Sequence, residues 1–231
     1  MTALDATRQL DFLPPEKVLG CQISLIGAGA IGSWTALALG KMLAGYPGFG
    51  GLQVIDPDSV ESVNIPGQFY RVADGDNHRR RRKVDALRDN LETHCGLQID
   101  AMPQFLQADS KVQLSDIAIT GVDSMSSRRA IWELIRHQRG VRYLIDARMG
   151  AFHISILTAK IDDPASEREY LQGLVEDTAT MDLPCTGRAI VTVAMTIAGI
   201  CAEQVRKILI GVEPPRRIDF NLETNQLLVC E

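Results

Sequence analysis

An α/β fold, built on a doubly wound, mainly parallel sheet with helices on both faces and a C-terminal strand pair, is predicted by three observations. Apolar strand-like runs alternate with helix-like runs, a glycine-rich turn joins the first strand to the first long helix, and acids stand at the ends of later strands. In order, Ile23, Leu25 and Ile26 form a strand that enters Gly27, Gly29 and Gly32, and TALALGKML continues as a helix. LQVIDPD (52–58) is the next strand, and a long polar loop leads to the helical RKVDALRDNLETH. LQIDAMPQFL (97–106) is a strand candidate interrupted by Pro103. DIAITGVDS (116–124) is a buried strand, SRRAIWELIRHQRG a helix with a glycine stop, and VRYLIDARMG the following strand. From AFHISILTAKID the pattern changes to one more strand, a polar stretch (162–182), the turn LPCTGRA, the apolar AIVTVAMTIAGICA (189–202), and a closing strand pair around RRIDFNLETNQLLVC. The βαβ alternation implies parallel pairing, with ligands beyond the carboxyl ends of the strands. No Gly-, Ser- or Pro-rich linker divides the chain, so one domain over 1–231 is expected, its first part an N-terminal segment over 1–20.

Composition narrows the function classes. With 231 residues and 45% hydrophobic content the chain is long enough to bury a substantial core. A net charge of -5 argues against nucleic-acid binding, and HRRRRK (78–83) reads as a solvated loop. Five cysteines without a C-x-x-C pair fit neither a disulfide framework nor a four-thiolate zinc site, which makes the cytoplasm the expected setting. The N-terminus lacks a signal pattern, and the 189–202 stretch is too short to span a membrane; it reads as a core helix.

The G-x-G-x-x-G turn has a mechanism. Gly27 permits the tight turn, Gly29 lets backbone approach a phosphate, Gly32 lets the helix pack near the strand, and the helix N-terminus offers unpaired N–H groups to an anion. By itself it leaves NAD, FAD and ATP open. Asp56, 24 residues after Gly32, stands where a carboxylate accepts hydrogen bonds from ribose hydroxyls. Beyond it come Asp58, Asn64 and Gln68, then Lys83 on the incoming helix and Asp123 at a later strand tip. An ammonium and a carboxylate at the phosphate end of a nucleotide suit phosphoryl or adenylyl transfer with Mg2+, whereas hydride transfer needs neither.

The series GAGAIGS, VIDPDSVESVNIPGQF, Lys83 and ITGVDSMSSRRAI resembles the ThiF, MoeB and ubiquitin-activating (E1-like) adenylyltransferase family over nearly the whole chain. The resemblance implies ATP and Mg2+ as cosubstrates. It gives the triphosphate to the glycine loop, the nucleotide to Asp56 and Asp58, the phosphates to Asn64, Gln68 and Lys83, and the metal to Asp123, with Arg128 five positions on. It further implies that a ubiquitin-like or sulfur-carrier protein presents a C-terminal glycine carboxylate, which attacks the α-phosphate and displaces pyrophosphate. A homodimer or heterodimer, and a conjugating enzyme downstream, belong to the same implication.

The departures are specific. Gly67 stands where the family box carries arginine, so Arg71 or one of Arg79 to Arg82 is left to supply that charge. Arg8-Gln9-Leu10 weakly resembles the segment whose arginine reaches the partner subunit's site, and the family's paired C-x-x-C zinc ligands are absent. Cys185, within a crossover-like loop over 162–188, matches the position of the thioester cysteine in relatives that form one; a thiol near a helix start with Arg188 three residues on is biased toward thiolate. A turn cysteine in an adenylation-only enzyme is the competing reading. Cys21 and Cys201 read as core residues, Cys95 and Cys230 carry no motif, and His78, His94, His137 and His153 lack ligand spacing. Two further classes stay open: a non-catalytic subunit, favoured by Gly67, and a dinucleotide-dependent oxidoreductase, which would leave Asn64, Lys83, Asp123 and Cys185 unused.

Overall fold

The computed structural model describes residues 7–76, 80–176 and 190–230. A short helix α1 (Pro15–Val18) precedes β1 (Gln22–Ile26), α2 (Ala30–Leu43), β2 (Gly51–Ile55), α3 (Lys83–Cys95) and β3 (Ile99–Met102). Then follow β4 (Ile117–Thr120), α4 (Met125–Ile135), β5 (Tyr143–Gly150), β6 (His153–Lys160), α5 (Pro164–Glu176), α6 (Val191–Ile210), β7 (Arg217–Asn221) and β8 (Gln226–Cys230). One eight-stranded sheet runs in the order β3-β2-β1-β4-β5-β6-β7-β8. The first five strands pair in parallel, and β6 to β8 are joined antiparallel. The order reverses direction at β1, and the crevice beside β1 and β4 is where such sheets bind ligands.

Alternation along each strand sends side chains to two apolar layers. Ile23, Leu25, Val54 and Ile119 face α2, α3 and α6, whereas Ile26, Ile55, Ala118 and Leu144 face α4 and α5. Helix α2 is buried on most of its surface because α6, which also packs on β5 and β6, lies along it on the same face of the sheet. The core helix runs beyond the apolar stretch that marks it in the sequence. Glu203, Arg206 and Lys207 turn outward while Gln204, Val205 and Ile208 stay buried, until Gly211 takes the left-handed conformation that ends the helix. No helix among the described residues is long and apolar enough to cross a membrane.

The polar stretch after β6, expected as part of a crossover-like loop, contains a helix, α5. Pro164 suits its first turn, and the buried positions Ser166, Tyr170, Gly173 and Leu174 follow helical spacing. Only two of these carry large apolar groups, which is why hydropathy hid the periodicity. Residues 177–189, including the LPCTGRA turn and Cys185, lie outside the described residues, as do 77–79.

The β5–β6 hairpin closes through Ala151 and Phe152, between the paired Gly150 and His153. Ala151 has φ +47°, where a Cβ is disfavoured by roughly 1–2 kcal/mol. Ala151→Gly should therefore raise stability, by about 1 kcal/mol in urea or thermal unfolding; a lowered midpoint would show that the alanine methyl makes contacts worth more than the strain.

Candidate active site

The three loop glycines are required for three different reasons. Gly27 has φ +93°, and a Cβ on it would sit 3.2 Å from the Gly121 backbone at the end of β4. At Gly32 a Cβ would come within 1.8 Å of the Gly27 carbonyl oxygen, so the first turn of α2 closes over the loop only with hydrogen there. Gly29 caps α2, and a Cβ on it would meet nothing within 4 Å. That open side, at a helix N-terminus with unpaired N–H groups, is shaped for a phosphate.

Asp56 leaves β2 directly beneath this loop. Its Oδ2 accepts from the Ala28 N–H at 2.7 Å and its Oδ1 from the Asp58 N–H at 2.8 Å. Each oxygen of a carboxylate has a further lone pair for another donor. Burial raises the Asp56 carboxyl above the usual carboxylate value, opposed by the Lys83 charge and these two N–H groups. Lys83 opens α3 and is set in place by its own N–H, which donates to the Asp58 carbonyl at 2.9 Å, and by the bridge between Ser59 and Arg82. Its Nζ lies 2.8 Å from Asp58 Oδ2 and 4.0 Å from Asp56 Oδ1. The two neighbouring acids and Lys83, 25 residues beyond Asp58, therefore form one cluster under the loop.

Asp123 is exposed just past β4, two residues after the Gly121 that packs on Gly27. Ser124 caps α4, its Oγ accepting from the Ser127 N–H at 3.1 Å. Arg128, buried, fixes the same corner: it donates to the Val122 carbonyl and pairs with the fully buried Asp146. Arg148 joins Asp146 at 2.7 Å, and the Tyr170 hydroxyl donates to it at 3.2 Å, tying α5 to the same carboxylate.

The segment after Asp58 is built largely by polar contacts. Asn64 Oδ1 accepts from the Glu61 N–H at 2.9 Å, capping the 3-10 turn Ser62–Asn64, while the buried Oε1 of Gln68 has no hydrogen-bond partner among the described residues. Trp34 Nε1 donates to the Gly67 carbonyl at 3.1 Å. Asp74 is a buried hub that receives Arg71 (3.1 Å), Arg81 (2.7 Å) and Asn90 (3.3 Å). Two of the arginines proposed to replace the one missing at Gly67 are thus occupied. Arg82 instead donates to the Pro57 carbonyl at 2.6 Å, between the two acids of the cluster.

The remaining candidates separate. Arg8 lies in a 3-10 turn whose following residue Gln9 accepts from Leu13, and the Leu13 carbonyl accepts from Tyr46 beyond the C-terminal end of α2. Across the 14 residues of α2, that anchor stands about 21 Å of helix from the glycine loop. Cys21 and Cys201 are buried as expected, their thiols pushed up to about 11 and about 12, foremost by burial. Cys95 is buried in α3 against Gly40. Tyr70, Ser33, Trp34 and Asp74 hold the site together and went unread in the sequence, because no motif marks a side chain that bonds to backbone.

The sequence profile described as the ThiF family matches residues 8–229. The chain belongs to the ThiF family. As such it is an adenylyltransferase-type, ATP-binding enzyme. No curated protein matches it. The structure of PaaA superposes on this ThiF-family chain with a TM-score of 0.72 at 19% identity, covering 100% of this chain and 85% of PaaA. E. coli MccB gives a TM-score of 0.70 at 15% identity, covering 93% of this chain and 63% of MccB. This chain therefore spans less than two thirds of the length of MccB. Another MccB structure, with a TM-score of 0.66 at 16% identity and coverage of 93% and 64%, contains ATP.

Burial raises the Asp74 carboxyl, but its bonds to Arg71 and Asn90 outweigh this and hold it below its ordinary 3.8. A lowered folded value means the unfolded chain takes up the proton first; the contribution is full above 3.8 and is lost as pH falls through the folded value. Asp74→Asn should therefore destabilise the protein at neutral pH, with a deficit that shrinks in acid. Unfolding midpoints of both proteins measured across pH 3 to 7 check this, and a deficit independent of pH would show that packing, not charge, holds this hub.

Proposed function

We propose that this chain adenylates the C-terminal carboxylate of a ubiquitin-like or sulfur-carrier protein with ATP and Mg2+, and then captures the acyl group on Cys185. The observation that carries the reading is the clustering of Asp56, Asp58 and Lys83 under an open glycine loop, against which the strand bearing Asp123 packs. Gly29 leaves room for the phosphates, Asp56 has acceptor capacity for the ribose, and Lys83 and Arg82 bring positive charge to a box that lacks its arginine at Gly67. Asn64 and Gln68 would meet the phosphates through their side-chain NH2 groups, because phosphate oxygens only accept and the Asn64 oxygen is held by the Glu61 N–H.

The chemistry is in-line displacement. A carboxylate oxygen of the carrier attacks the α-phosphorus, the bond to the bridging oxygen of the β-phosphate breaks, and pyrophosphate leaves with its electron pair. The nucleophile is already ionised, so charge placement rather than a general base lowers the barrier. Asp123 would hold magnesium, which when bound would neutralise phosphate charge. In the second step the Cys185 thiolate attacks the acyl carbon and AMP leaves. Arg8, anchored at the far end of α2, would reach a nucleotide site only across a dimer.

A second reading concerns the substrate's size. MccB has been crystallised with AMPCPP and MccA, and a short peptide in place of a folded carrier would use the same carboxylate chemistry without Cys185.

ATP–pyrophosphate exchange driven by a candidate carrier or peptide tests the first step. Asp123→Ala and Lys83→Ala should each lower its rate on the order of a hundredfold with the fold retained by circular dichroism, and Arg82→Ala should raise the KM for ATP. Exchange at the wild-type rate in Asp123→Ala and Lys83→Ala would sink these assignments. For the second step, Cys185→Ala should keep exchange yet lose a reductant-sensitive carrier adduct on a gel. An adduct that survives the substitution, or a wild type that never forms one, would leave adenylation alone.

A further inference from the structure

The Gly67–Tyr70 segment is fastened to the nucleotide loop by contacts that the transfer of AMP does not itself use. Trp34 Nε1 donates to the Gly67 carbonyl at 3.1 Å, the Phe69 N–H to Ser33 Oγ at 2.9 Å, and the Tyr70 hydroxyl to the Ala28 carbonyl at 2.6 Å. On the other side, Asn90 Nδ2 of α3 donates to the Phe69 carbonyl at 3.3 Å. The Phe69 ring lies between Trp34 and His94, with centroids at 5.4 and 5.1 Å. The segment thus straps α2, which begins at the glycine loop, to α3, which begins at Lys83.

Of these contacts, the one from Tyr70 acts on a single peptide group. Ala28 stands between Gly27 and Gly29; its N–H is held by Asp56 and its carbonyl by Tyr70. A trans peptide is planar, so a carbonyl and the N–H of the next residue point opposite ways. With the Ala28 carbonyl fixed on Tyr70, the Gly29 N–H faces away from it. Glycine at the next position imposes little barrier of its own to rotation of that plane, so its orientation has to come from outside the loop. Burial, with the Asp56 and Asp74 carboxylates nearby, holds the Tyr70 phenol well above its usual range, and the hydroxyl remains a donor.

We propose that Tyr70 is a positioning residue for the nucleotide: its hydroxyl holds the Ala28–Gly29 peptide in the orientation that offers the Gly29 N–H to phosphate. The inference rests on the adenylation reading and adds a residue that touches neither ATP nor the carboxylate. The fold supplies a matched control. Tyr46 is equally buried, at 5% exposure against 8% for Tyr70, and its hydroxyl also donates to a backbone carbonyl, that of Leu13 at 2.7 Å, but at the far end of α2.

Calorimetric titration of the full chain with MgATP, beside thermal unfolding, separates positioning from stability. Tyr70→Phe and Tyr46→Phe should both lower Tm, since each strands a buried carbonyl. Only Tyr70→Phe should weaken MgATP, by about tenfold in Kd, and in exchange assays its KM for ATP should rise while kcat holds. Wild-type affinity in Tyr70→Phe, or an equal loss in Tyr46→Phe, overturns the inference and leaves the adenylation reading standing. A wild type that binds no MgATP overturns both.

Discussion

The first turn of α2 lies so close to the end of β1 that the hydrogen of Gly32 occupies the space where any side chain would meet the Gly27 carbonyl, 1.8 Å from a Cβ. Much of the site follows from that contact. It brings the helix N-terminus over the strand end, it leaves Gly29 facing open space, and it lets Gly121 at the end of β4 approach both Gly27 and the Ile31 side chain. The sheet order β2-β1-β4 then supplies an acid on each side of the loop, Asp56 from β2 and Asp123 beyond β4. A larger residue at any of these contacts would push the helix off the sheet before it touched a ligand.

The long connection from β2 to α3 has few apolar anchors, and ionised groups do much of the ordering there. Asp56 uses both oxygens on backbone N–H groups, Asp58 holds Lys83, and Asp74 gathers two arginines and an asparagine in a buried position. A carboxylate that satisfies several donors offsets the cost of its burial, and removing one partner leaves an uncompensated charge. The same loop carries the residues assigned to phosphate, so the contacts that order it also set where charge meets the nucleotide.

On the opposite face of the sheet another buried carboxylate, Asp146, performs a comparable task. Arg128 and Arg148 converge on it, Tyr170 adds a hydroxyl, and Arg148 Nη1 also donates to the Gly173 carbonyl of α5 at 3.1 Å. Through the Val122 carbonyl, Arg128 reaches the corner that bears Asp123. The arginine five residues after the acid is therefore structural in its contacts: it shapes the turn that presents Asp123, and it joins α4 to β5.

Sequence by itself determined the alternation of strands and helices, the glycine turn with its three distinct demands, the acids at strand ends, and the family to which the chain belongs. These are local signals, carried by the period of hydrophobic residues and by turn chemistry within a few positions. It also marked Cys185, for which sequence is the only source. Only the tertiary structure decided that α5 is a helix, that Asn64 spends its side-chain oxygen on a cap, that Arg71 and Arg81 are committed to Asp74, and that Tyr70 bonds to the Ala28 carbonyl 42 residues away. The physical reason is the same in each case. A polar side chain takes the partner that packing brings within about 3 Å, and that partner is set by the layers and crossovers of the whole sheet, which no local spacing encodes.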